Sequence, residues 1–219
     1  MPRSMAQPVS QFEKPRSAGR PRSEETRRLI LSATLALLKD ETMQSITIEA
    51  IAKAAGVSKA TIYRWWESKA LIVMDAFIEH HLVHTPMRRD LSPRDMIAQH
   101  MRDLVEQYSG FGGKIVAQIV ADGQSDPVVA REFRARFHYG RRAVVREALE
   151  EWRCTGEIPA DTNIEMLMDV LYGPIYMRLM LGHAPLDSRF MIDYQRYVFP
   201  LLGVPAPADV IAPSIPETE

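Results

Sequence analysis

A chain of 219 residues is long enough for one large domain or two small ones, either with a real core. Its 46% apolar and 25% charged residues exclude a disordered or membrane-embedded chain, and its single cysteine, Cys154, excludes an intramolecular disulfide and any multi-cysteine metal site. The net charge of −1 hides an asymmetry: 12 basic and 8 acidic residues through Asp75, then 15 and 20 in the remainder, which fits a polyanion-binding end on an acidic body.

In chain order, residues 1–21 are polar, proline-containing and basic, and read as a disordered arm. Neither an apolar signal core nor an uninterrupted run near 18 apolar residues occurs, so a cytoplasmic location is expected and no membrane partner. Ser23 can cap a first helix, with Leu29, Ile30, Ala33, Leu37 and Leu38 as its apolar stripe, ending near Lys39-Asp40. Thr47 is the next cap, opening a helix of about eight residues that stops at Gly56, the residue that most cheaply takes positive φ. Ser58 caps a third helix from Lys59 to about Trp66, and Ser68 a fourth from Lys69 to His84 with Leu71, Met74, Phe77 and Ile78 inward. Pro86 and "RRDLSPRD" mark a break.

Beyond the break every segment reads helical. Met96–Tyr108 and Lys114–Ala121 are separated by the glycines of "SGFGGK". Pro127, after Asp126, opens a long helix through Val129, Phe133, Phe137, Val144, Ala148 and Trp152, closed by Gly156. Asn163–Gly182 and Asp187–Leu202 complete the set, and the proline-rich tail 204–219 reads as disordered. Apolar periodicity continues on both sides of Gly173-Pro174, which predicts a kinked helix there and space beside Tyr172 and Tyr176. The fold class is all-α: an arm to residue 21, a helix-turn-helix unit with its linking helix over 22–84, and a larger C-terminal unit over 85–203.

Two short helices joined at a glycine, with Ala52, Ala55 and Val57 small enough for close crossing and Ile48, Ile51 and Ile62 to fill the shared core, form a helix-turn-helix pattern. Its second helix offers Ser58, Lys59, Ala60, Thr61 and Arg64 near an N-terminus whose free N–H groups favour phosphate. Lys59, Thr61 and Arg64 are the candidate base readers. Thr47, Tyr63 and Lys69 are the phosphate candidates; Lys69 sits in a first turn where a cation is disfavoured unless an anion is near. Arg20 and Arg22 are candidates for an adjacent minor groove. From pattern alone the hairpin can also be purely structural, in a helical small-molecule-binding or protein-interaction module.

Residues from about Arg22 to Leu71, with "GRPRS" before the first helix and "TIEAIAKAAGVSKATIYRWWESKALI" after it, resemble the DNA-binding domain of the TetR-like (tetracycline-repressor-type) transcriptional regulators. Ala60 where Gly is frequent and Trp66 where Phe is frequent are departures that add neither a charge nor a helix breaker. "VLYGPIYMRLMLGHAPLD" is similar to one subgroup's regulatory domain, more loosely. The resemblance implies a homodimer on a palindromic double-stranded operator, released when a small molecule binds the C-terminal unit, with the linking helix as lever. Aromatic content nominates Phe77, Tyr108, Phe137, Tyr172 and Tyr176 as effector contacts. The apolar wealth of the last two helices nominates Leu179, Phe190, Tyr194 and Tyr197 for the dimer interface, which the family typically builds from those helices.

His80 and His84 lie one turn apart, but no Cys, Asp or Glu of matching geometry accompanies them, so no metal or other cofactor is expected. The arginines of "REFRARFHYGRRAVVRE" alternate with glutamates and read as a solvated helix face. No nucleophile elbow, phosphate-cradling glycine loop or paired-carboxylate motif is present, so an enzyme is not expected.

Overall fold

The structure, a computed structural model, describes residues 20–201, with side chains from Glu24 onward. The expected tail and nearly all of the expected arm lie outside the described residues. Arg20 and Pro21 instead open α1 (Arg20–Leu37), which starts three residues ahead of the expected Ser23 cap. Its buried stripe is Ile30, Leu31, Thr34 and Leu38, while Leu29 faces outward. Thr34 fits the interior because its hydroxyl donates to the Ile30 carbonyl at 2.8 Å, leaving its methyl to pack.

Three short steps follow: α2 (Ile48–Ala55), α3 (Lys59–Tyr63) and the longer α4 (Lys69–His84). The third helix ends three residues short of Trp66, and the chain turns there so that the Trp66 ring enters the core. Ile30, Ile51 and Ile62 close the interior of this unit against α4. The other face of α4 packs on α6 and α7, so one helix belongs to both halves of the molecule.

The C-terminal half comprises α5 (Pro93–Ser109), α6 (Phe111–Ser125), α7 (Pro127–Phe133), a π-helical turn (Arg134–His138), α8 (Tyr139–Cys154), α9 (Ile164–Leu181) and α10 (Ser188–Leu201). All regular elements among the described residues are helical. Two sequence expectations change here. The glycines of "SGFGGK" do not separate helices: Gly112 and Gly113 lie inside α6, at the point where it leaves α5. A Cβ on Gly113 would stand 2.0 Å from the Tyr108 carbonyl oxygen, so only glycine permits this approach. The long helix from Pro127 is interrupted by the π turn, which shifts the periodicity between Phe133 and Tyr139.

The helix ends expected at Asp126, Asn163 and Gly182 are each closed locally. Asp126 accepts from the N–H groups of Val128 and Val129, Asn163 from Met166, and Gly182 takes φ 60 beyond α9. Helix α9 runs through Gly173-Pro174 as one element, and Pro174 leaves the Val170 carbonyl without its ladder donor. Among the described residues no helix is long and apolar enough to cross a membrane.

Candidate nucleic-acid interface and C-terminal cavity

The turn between α2 and α3 is fixed at both ends. Thr47 Oγ1 accepts from the Ala50 N–H at 3.1 Å. Gly56 takes φ 66, which lets the Val57 N–H return to the Ala52 carbonyl at 2.9 Å. Ser58 Oγ then accepts from the Thr61 N–H at 3.2 Å and lies 2.9 Å from the Thr61 hydroxyl. From α3 only Ile62 is buried. Lys59, Ala60, Tyr63 and Arg64 are exposed on its outer side, with Thr61 half-buried between them.

Two of the cations already have partners. Lys59 Nζ lies 2.8 Å from Glu49 Oε1, which raises the lysine and lowers the carboxylate. Both groups are exposed, so the pair contributes little to stability and Lys59 can exchange partners. Lys69 differs from expectation. Its Nζ donates to the carbonyls of Gln44 at 2.9 Å and Ile46 at 2.7 Å, so backbone dipoles supply the negative potential expected from an anion. The lysine clamps the α1–α2 link to α4, and the same link is tied to α6 by the Met43 N–H donating to Gln118 Oε1 at 2.6 Å.

Behind the exposed face, Trp66 is buried and its Nε1 donates to Asp75 Oδ2 at 2.9 Å. The other oxygen of Asp75 accepts from Arg136 Nη1, on the π turn, at 3.2 Å. Arg27 of α1 reaches the same carboxylate at 3.4 Å and also pairs with Glu79. One carboxylate on α4 thus joins α1, the turn after α3 and the C-terminal half.

Helices α4, α5, α8, α9 and the π turn line a small, partly open cavity of about 20 Å³. Tyr108, Phe137, Tyr172 and Tyr176 line it as expected, whereas Phe77 lies one layer behind, its ring 5.1 Å from Phe137. The polar lining is what the sequence reading missed: His81, His100, His138, Arg141 and Arg142. Arg141 Nη2 donates to the Thr85 carbonyl at 2.6 Å and to its hydroxyl at 3.0 Å, and stands 3.5 Å from His100 Nδ1. Its Nε is buried without a partner, and no carboxylate among the described residues pairs with it. Since a guanidinium only donates, His100 Nδ1 is the unprotonated nitrogen, and Nε2–H donates to Tyr172 Oη at 3.0 Å. Burial, then the charge of Arg141, pushes both His81 and His100 down to about 3, so both are neutral near pH 7. Burial likewise raises Tyr108 and Tyr172, keeping their hydroxyls protonated.

Residues 30–74 match the model of bacterial regulatory proteins of the tetR family, and residues 91–198 match a tetracyclin repressor-like C-terminal domain. The uncharacterized HTH-type transcriptional regulator YdeS of Bacillus subtilis (strain 168) is 34% identical over 175 residues, 80% of this chain and 88% of that protein. This chain belongs to the tetR family. The TetR family transcription regulator SCO0332 superposes with a TM-score of 0.65 at 30% identity, over 86% of this chain and 100% of that one. FadR from Bacillus subtilis, solved in complex with stearoyl-CoA, shares the fold at 17% identity with a TM-score of 0.63, over 80% of this chain and 96% of that one. As a tetR-family transcriptional regulator, the chain carries a DNA-binding helix-turn-helix, built by α2 and α3.

The four residues expected at a tetR-type dimer interface divide. Phe190 and Tyr194 are buried within the chain itself. The Tyr194 hydroxyl donates to the Leu171 carbonyl at 2.8 Å, and the Arg178 guanidinium lies 4.2 Å from the centre of the Phe190 ring. Intrachain packing of α10 against the rest of the bundle therefore hides side chains that the sequence reading left for a partner. Tyr197 is exposed and Leu179 partly so; Met177, Leu181 and Leu201 join them as exposed apolar residues.

Proposed function

We propose that this regulator is a cytoplasmic, homodimeric repressor that two copies of α3 hold on a palindromic operator, and that a small molecule in the C-terminal cavity releases. The observation that carries the reading is the outer side of α3, where Lys59, Ala60, Tyr63 and Arg64 stand exposed and only Ile62 serves the core. In this reading Lys59, Thr61 and Arg64 meet base edges, Ala60 passes close to them, and Thr47, Ser58 and Tyr63 meet phosphates. Lys69 has one donor left beyond its two carbonyl bonds, enough for a phosphate as well. In the same reading Arg20 and Arg22, at the start of α1, serve an adjacent minor groove.

The division into a DNA-binding unit over 22–84 and a regulatory unit over 85–203 follows the same logic, with α4 shared. Half-sites repeat every ~34–36 Å along the duplex, so a small rotation of α4 displaces one recognition helix. Asp75, bonded to Trp66 on one side and to Arg136 on the other, is the contact through which the π turn would move that helix. Cavity occupancy as the trigger accords with the stearoyl-CoA complex of FadR, a protein of the same fold.

The test is fluorescence anisotropy of the full chain with its own upstream DNA and with a scrambled duplex, over a salt series. Affinity that falls steeply with salt and strongly favours the upstream DNA is the expected result. No binding to either duplex at low salt would overturn the reading.

A further inference from the structure

Around the cavity several hydrogen-bond donors have no acceptor, and His81 Nδ1 is also buried without a partner. Arg141 brings a full positive charge with Nε unpartnered and no carboxylate beside it among the described residues. His100 commits its one proton to Tyr172 Oη, which leaves the Tyr172 O–H to point elsewhere. Tyr108 and Tyr176 oxygens lie 3.3 Å apart; one hydroxyl donates to the other, so the second hydrogen is also free. A half-buried cation without a counter-charge is costly, and other arginines nearby are paired: Arg142, the next residue, binds Asp169 and Glu165, and Arg136 binds Asp75 and Glu132.

The walls are organic. Leu104 and Phe137 face the cavity between the polar groups. His138 and Tyr176 also border a second hollow of about 240 Å³ lined by Ile119, Val120, Ala130 and Phe133. The two spaces meet at the π turn, the element that carries both Phe137 and His138.

We propose that the effector is a small organic monocarboxylate, its carboxylate bound by Arg141 and the Tyr172 hydroxyl, and its compact aromatic or alicyclic body directed past His138 and Tyr176 into the hollow between α6 and α7. This rests on the reading of the cavity as the effector site. The inner space holds little more than water, so the acid enters by displacing the Phe137 and His138 side chains. Movement of the π turn would then pass through Arg136 to Asp75.

The test uses matched acid and amide pairs on the full chain: benzoate and benzamide, phenylacetate and phenylacetamide, cyclohexanecarboxylate and its carboxamide, with inorganic phosphate as a fourth arm. Melting temperature and calorimetric affinity are read for the wild type, Arg141→Gln and Tyr172→Phe. At least one acid is expected to bind about tenfold or more tightly than its amide, since each tenfold corresponds to one charge-assisted contact. Arg141→Gln should remove that preference, and Tyr172→Phe should weaken it several-fold. If Arg141→Gln does not fold, Tyr172→Phe and the wild-type acid-to-amide ratio decide. Equal binding of acid and amide, binding by none of the acids, phosphate binding as well as the acids, or an acid preference unchanged by either variant would each overturn the proposal. DNA affinity measured in parallel separates the two readings. Salt-dependent DNA binding with no acid bound sinks only the ligand class; acid binding that leaves DNA affinity unchanged sinks the effector role of the cavity and not its chemistry.

Discussion

His81 and His100 are folded as neutral imidazoles, and acid should expose the cost. The groups that act on them are Arg141 from α8, Tyr172 from α9, Tyr108 and Gln107 from α5, and His80 and His84 on α4. None is a carboxylate. Their pKa values sit at about 3 against 6.5 for the free group, so below pH 6.5 the unfolded chain binds protons that the folded chain refuses. Stability is therefore complete above about pH 6.5 and falls as pH drops toward 3, by about 1.4 kcal/mol per pH unit for each histidine. Urea unfolding across that range measures the slope, and His100→Asn should reduce it by about one proton whatever it does to absolute stability. An unchanged slope would mean that His100 is charged in the fold. The tyrosines of this cavity were legible as aromatic content, but Arg141 was not. In sequence it belongs to a run of arginines alternating with glutamates, which reads as a solvated face, and neither Arg141 nor Arg142 behaves so: both line the cavity, and Arg142, with 12% of its side chain exposed, pairs with Glu165 and Asp169 of α9. One residue back is about 100° around the helix, and that turn carries Arg141 away from those carboxylates, where only the crossing of α4, α5 and α9 shows what it meets.

At the scale of elements, the caps at Thr47, Ser58 and Ser68 were readable because each is a local bond between residues three apart. The glycines of "SGFGGK" were misread because their reason is not local: the carbonyl of Tyr108 occupies the space a side chain at Gly113 would take. Gly113→Ala should accordingly destabilise the chain by about 1–3 kcal/mol. Gly140 faces open space on α8, with nothing within 4 Å of where a methyl group would stand, and Gly140→Ala should stabilise the monomer fold by about 0.5–1 kcal/mol. Denaturation midpoints of the two variants check both signs; a tolerated Gly113→Ala would mean that the end of α5 can move. The contact between the π turn and α4 makes a separate prediction. Asp75→Asn retains an acceptor for Trp66 but loses the charge that holds Arg136 and Arg27. A double-mutant cycle of Asp75→Asn with Arg136→Ala, read out as DNA affinity, should show a coupling of about 0.5 kcal/mol or more. Additive effects would place transmission elsewhere along α4.

For the whole molecule, the proposed dimer raises the question of which surface a second copy would cover. Burial removes Phe190 and Tyr194 from that surface, and it leaves Met177, Leu181, Tyr197 and Leu201 exposed on the last two helices. In a two-fold interface the same patch is used by both copies, so one charge added to the chain enters the contact twice. Met177→Glu and Leu181→Glu should therefore shift the sedimentation of the protein from dimer toward monomer while leaving the melting of the isolated fold nearly unchanged, because both side chains are more than half exposed. Phe190→Ala should do the reverse. It opens a cavity under Arg178 and costs about 3–5 kcal/mol of fold stability before it affects association. The dimer variants also carry a consequence for DNA. A monomer holds one recognition helix and one set of phosphate contacts, so its affinity should fall steeply and its salt slope should be roughly half that of the wild type. If Met177→Glu and Leu181→Glu remain dimeric, the interface lies on another face; if the wild type itself sediments as a monomer of 24.9 kDa and still binds its upstream DNA tightly, the palindromic operator is the wrong target.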